Sequence, residues 1–222
     1  MALRNIRGSM RARYIIESER WGEMKGQGSF DNIDELFALG LSAAKLGDAQ
    51  RLYAVAGEFE KLVKSPPDPA LLDQATVMLH QIGALLMVSQ GEMKEAFAAM
   101  DRAIAAQARM PKPIGRPFPP KGADELYGEL WLQQGRAQEA MRWFERALVR
   151  TPNRSRAVLG LARSAAKAGD SGKSRAAYKQ FLANWRMADA GLAEIAEARA
   201  ALRGTTGSVN AVPTRGSHTN VH

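Results

Sequence analysis

Helical runs of apolar and polar residues fill most of the 222-residue chain, and one kind of break interrupts them four times. Each break passes through a glycine to the polar residue that opens the next run: Leu46-Gly47-Asp48, Gln90-Gly91-Glu92, Gln134-Gly135-Arg136 and Ala168-Gly169-Asp170. Glycine suits such a turn because it accepts positive φ, which ends one helix before the next starts. The four glycines stand 44, 44 and 34 residues apart. The two longer intervals contain the proline-bearing segments Pro67–Thr76 and Pro111–Pro120, and proline ends helices. Asp68-Pro69 reads as an N-cap and first helical position, lengthening the helix that follows by a turn or two. The pattern predicts paired helices. Small residues at Gly40, Ala84, Gly128 and Ala162 allow close approach within a pair, while Trp131, Phe144 and Tyr178 fill the space to the next pair.

Beyond the pairs, Ala188–Leu202 predicts one more helix, with Leu192, Ile195 and Ala198 on one face and Glu194 and Glu197 on another. Residues 204–222 show no periodicity and read as a disordered tail. At the other end, Tyr14, Ile15, Trp21 and Met24 recur at helical spacing before the break Lys25-Gly-Gln-Gly-Ser. This N-terminal segment, residues 1–29, reads as part of a hairpin. It is expected to pack against another subunit, giving a homo-oligomer, or to be what remains of a longer array.

The 34-residue interval is the length of one tetratricopeptide unit. Lys121–Arg154 resembles that family residue by residue, through Tyr127-Gly128, Trp131, Gly135, Ala140, Phe144, Ala147 and Pro152. Ser155–Ala188 resembles it through Leu161-Ala162, Gly169, Tyr178 and Phe181, but has Arg186 where the closing proline belongs and Ser174 in place of the small alanine. Ile33–Pro66 carries Leu39-Gly40, Gly47 and Phe59, and Val77–Met110 carries Ala84, Met87, Gly91, Ala96, Met100 and Ala103. The resemblance implies an all-α fold: a right-handed superhelical α-solenoid of antiparallel hairpins over residues 30–203, with units near 33–66, 77–110, 121–154 and 155–188 and a capping helix at 188–203. It also implies a concave groove lined by the first helix of each unit. The groove positions become Glu125, Glu129, Leu132 and Gln133, then Arg156, Leu159, Arg163 and Lys167. Arg156, Arg163 and Lys167 share one helical stripe, suited to an acidic peptide or a C-terminal carboxylate. The simpler expectation is that Glu125 and Glu129 pair with Arg156 and Arg163 across the groove. The family's lysine and asparagine carboxylate clamp is not reproduced.

Composition adds a charge asymmetry. The net charge is +8, and from Arg154 onward 11 Lys and Arg stand against 4 Asp and Glu, whereas residues 30–110 hold 7 against 11. A basic end beside an acidic body suggests an anionic partner, or simply a solvated surface. There is no cysteine, so neither disulfides nor thiolate metal sites arise, and a cytoplasmic setting is expected. The longest apolar run, Ile82–Val88, falls short of a bilayer span, so no membrane span is expected.

No catalytic constellation accompanies this framework. Of three histidines, His218 and His222 fall in the tail and His80 sits on an apolar helix as a structural residue. Gly172-Lys173-Ser174 ends like a phosphate-binding loop, but Lys167 occupies the place of the required first glycine. Trp143 and Trp185 read as packing residues, and Pro111–Pro120, with Arg116 and Phe118, as a contact element or a mobile loop. The expectation is a non-enzymatic module without cofactor or metal that binds a protein or peptide in its groove. Nucleic-acid binding through the basic C-terminal half, or a structural or regulatory role in a larger assembly, stands as the alternative.

Overall fold

A computed structural model describes residues 2–25, 32–114, 118–189 and 191–204, with the side chains of 2–5 and 204 left aside. Residues 205–222, 26–31 and Arg116, on which the tail, part of the N-terminal break and part of the proline loop were read, lie outside the described residues. All regular structure among the described residues is helical. It comprises α1 (Ala2–Ser18), α2 (Ile33–Leu46), α3 (Ala49–Lys64), α4 (Leu72–Gln90), α5 (Met93–Arg109), α6 (Ala123–Gln133), α7 (Ala137–Arg150), α8 (Ser155–Lys167), α9 (Ser171–Asn184) and α10 (Ala193–Gly204). Short 3-10 turns at Trp21–Met24 and Pro69–Leu71 complete it.

The four turns predicted from sequence are built alike. Gly47, Gly91, Gly135 and Gly169 have φ of 72°, 82°, 74° and 81°, all left-handed. The residue after each glycine donates its backbone N–H back five positions, from Asp48 to Ala43, Glu92 to Met87, Arg136 to Trp131 and Asp170 to Ala165, at 2.9–3.0 Å. This pattern satisfies carbonyls that a helix end would leave orphaned. Asp48 and Asp170 then cap the next helix by accepting from Arg51 N and Lys173 N. Asp68 accepts from Ala70 N ahead of Pro69, so the first insert does start the long α4.

Each helix from α1 to α10 packs on its neighbour in sequence, and α2, α4, α6 and α8 also pack on one another in order. These four therefore form one row, with α3, α5, α7 and α9 on its far side. Phe144 of α7 shows how tightly the layers meet. Its ring lies 3.1 Å from where a Cβ on Gly128 of α6 would stand, and a Cβ on Gly160 of α8 would overlap it outright. Gly40 makes a similar close approach, since a Cβ there would come within 2.9 Å of Val55 and nearer still to Ile82. Trp131 stacks on Phe97 of α5 at 4.3 Å and Trp143 lies 4.5 Å from Tyr127, so aromatic contacts run from α5 through α6 to α7.

Two expectations change. Pro69–Gln90, counting its 3-10 start, spans 22 residues and is long and apolar enough to cross a membrane. In this fold it packs on α2, α3, α5 and α6, and its polar Gln74 and Gln81 are buried and hydrogen-bonded within the chain. The N-terminal segment also finds its partner at home. Ala12, Ile15, Ile16, Trp21 and Met24 are buried in the same core as α2–α6, and Ser42 donates to the Trp21 carbonyl. Ile6, Met10 and Tyr14 remain exposed on the outer face of α1.

Replacing Gly160 with alanine tests this packing, because helix propensity favours alanine by about 1 kcal/mol while overpacking costs about 1–3 kcal/mol. The expected outcome in urea unfolding is a net loss of stability; a gain would mean that Phe144 does not fill the α8 contact.

Candidate functional site

The row α2–α4–α6–α8 encloses a cavity of about 570 Å³. Among its lining residues are Glu129, Gln133, Arg156, Arg163 and Lys167, five of the six site positions read from sequence, with Leu132 and Leu159 between them. Helical spacing brings them together, because positions three, four and seven apart lie on one face. Lys45 of α2, Val88 and Ser89 of α4 and Glu19 after α1 supply the rest of the rim.

Glu125 is the exception, and it lies behind the wall. Its carboxylate is buried and accepts from the Arg154 guanidinium, with Lys121 Nζ at 3.4 Å. Lys121 in turn donates to Glu129, and Arg154 reaches across to Glu17 at the end of α1. Lys121 is itself only 1% exposed. Burial alone would pull its ammonium down, but Glu129 and Glu125 outweigh that and hold it above its ordinary value. Burial likewise pushes the Glu129 carboxyl up, and Lys121 and Lys45 overcome it, leaving Glu129 below the usual carboxylate range. Arg154 is held firmly charged, since Glu125 and Glu17 outweigh its desolvation.

The arginines of the stripe are occupied too. Arg156 donates through Nε to the Glu17 carbonyl at 2.6 Å and through Nη1 to Glu194 at 2.8 Å, with Glu19 at 3.5 Å and the Trp185 ring 5.2 Å away. Arg163 makes a two-pronged pair with Glu197 of α10 at 2.6 and 2.9 Å, and Tyr178 donates to the same carboxylate at 2.8 Å. The expected pairing of Glu125 and Glu129 with Arg156 and Arg163 is therefore corrected. Lys121 and Arg154 stand nearer to the α6 glutamates, and the two ends of the chain deliver acids to the α8 arginines.

Some capacity remains free. Lys167 and Gln133 have no side-chain partner among the described residues, and Lys45 lies 3.7 Å from Glu129. Arg156 Nη2 and Glu129 Oε2 are buried without a hydrogen bond, one a donor and one an acceptor. Lys121, Arg154, Lys45, Glu17, Glu194 and Glu197 were not among the site positions read from sequence. One signal was present: Lys121, Glu125 and Glu129 recur at every fourth position, a stripe that continues α6 backward into its loop. His80 lies elsewhere, lowered by burial and then by Arg102 and Arg109.

Comparison with family models, with curated proteins and with solved structures finds no match to this chain.

Lys121→Met strands two buried carboxylates, and breaking a buried pair costs about 3–5 kcal/mol. Because the Glu129 pKa is depressed, the stability it shares with Lys121 is fully present above the unfolded carboxylate value of about 4.3 and is lost as pH falls through the folded value. Denaturant titrations should show a gap between the parent chain and the variant that is widest at pH 6–7 and narrows below about pH 4. A gap under about 1 kcal/mol at pH 7 would show that the network is not integral to the fold.

Proposed function

We propose that the chain is a non-enzymatic α-solenoid of tetratricopeptide type whose α2–α8 cavity holds an extended segment of a protein partner. The observation that carries this reading is the pair of unpartnered buried atoms, Arg156 Nη2 and Glu129 Oε2, in the lining of one cavity. A peptide unit offers the complement to both, a carbonyl for the guanidinium and an N–H for the carboxylate, and an unmet buried group costs about 1–3 kcal/mol. Four turns of one geometry and a continuous row of even-numbered helices support the solenoid, which stacks hairpins that cannot bury both faces alone.

Charge sets the kind of segment. Lys45, Arg156, Arg163 and Lys167 outnumber Glu19 and Glu129 around the cavity, and Lys167 is uncommitted. An acidic or neutral segment fits; a basic one is repelled. Arg156 and Arg163 serve chiefly to fasten the chain ends, so Lys45 and Lys167 are the cations that meet a partner. The lining mixes these polar groups with Leu85, Val88, Leu126 and Leu159, which suits alternating side chains of an extended strand.

Selection of displayed peptides against the full chain tests the reading. The selected peptides should lose at least tenfold in affinity against Lys45→Glu/Lys167→Glu and keep it against Tyr53→Ala on the outer face of α3. Peptides indifferent to the double variant would overturn the groove assignment.

A further inference from the structure

The groove does not absorb the excess of positive charge. Of the basic C-terminal half, Arg154, Arg156 and Arg163 turn inward and are paired, whereas the outward cations come from α7 and α9. On α7 the buried positions are Ala140, Phe144 and Ala147, which places Arg142 and Arg146 on the opposite side of the helix. On α9 the buried positions are Ala177, Tyr178 and Phe181, which places Lys179 outward, with Arg186 in the turn that follows. The two helices lie side by side, since Lys173 of α9 meets Glu145 of α7 at 2.6 Å and Gln180 and Asn184 reach Asn153 just beyond α7.

The acids on this surface are few and already engaged. Glu139 binds Arg136, Glu145 binds Lys173, and Asp170 caps α9. Arg146 approaches Asp124 at 3.2 Å yet its side chain stays 55% exposed. Arg142, Lys179 and Arg186 are exposed and have no partner among the described residues. No comparable row appears on α3, whose Lys61 and Lys64 alternate with Glu58 and Glu60 in pairs along the helix.

We propose that the outer face of α7 and α9 binds the phosphate backbone of double-stranded nucleic acid. Two adjacent rows of exposed cations complement a phosphate array, and contacts of this kind position a duplex without reading its bases. Single strands are held by exposed aromatic platforms, which this face lacks, because Trp143 is half-buried and covered by the Arg146 guanidinium at 4.4 Å. A membrane would call for large apolar side chains among the cations, and Gln138, Ala176 and Ala183 stand there instead. This surface is separate from the α2–α8 cavity, so the two proposals stand or fall independently.

Fluorescence anisotropy of the full chain with labelled 20-base-pair DNA and RNA duplexes decides it. Binding at about 50 mM salt should weaken with a log–log slope of about −3 to −4, the value for four neutralised phosphates. Arg142→Glu/Lys179→Glu/Arg186→Glu should weaken binding at least tenfold with an unchanged melting temperature, whereas Lys45→Glu/Lys167→Glu should leave it within twofold. Absence of duplex binding at low salt, or binding that the triple variant does not weaken, would overturn the proposal. So would capture of labelled single strands alone, or of vesicles with anionic phospholipid in place of duplexes.

Discussion

The buried carboxylate of Glu125 is the point on which the architecture turns. It is shared between Lys121, in the loop that leads into α6, and Arg154, at the start of α8. Through Arg154 it is linked to Glu17, 137 residues away in sequence, and through Lys121 to Glu129 in the cavity lining. Charges this deeply buried are tolerated only when each has a partner, so the network fixes the mutual positions of α1, α6, α8 and the α5–α6 loop together. A repeat array otherwise holds only neighbour to neighbour. Here the first helix is tied directly to the fourth hairpin.

The same economy governs the terminal helix. Glu194 and Glu197 of α10 reach Arg156 and Arg163, and Ile195 and Ala198 are buried. Thus α8 receives acids from both ends of the chain, and two of the three cations of its stripe act as fasteners. What the cavity retains for a partner is narrower than the full stripe: Lys45, Lys167, Gln133, and the free valences of Arg156 and Glu129. The remaining positive charge is displaced to the outside of α7 and α9.

Local chemistry was legible in the sequence, and long-range chemistry was not. Gly47, Gly91, Gly135 and Gly169 announce their turns because only a residue without Cβ takes that backbone angle cheaply. Glu129, Gln133, Arg156, Arg163 and Lys167 could be placed in one lining because helical periodicity fixes faces. Their partners could not, since Glu17, Glu194 and Arg154 lie in segments whose approach is set by the stacking of every hairpin between. Gly160 was missed for a related reason. Its purpose is to admit Phe144 from the preceding hairpin, a contact that no spacing within α8 reveals.

The most direct test of the network is a double-mutant cycle joining Lys121→Met and Arg154→Met by denaturant unfolding. If both cations act through the shared Glu125 carboxylate, their effects should be non-additive by about 1–3 kcal/mol. Additivity within about 0.5 kcal/mol would contradict a single coupled network and leave two independent surface-like pairs in its place.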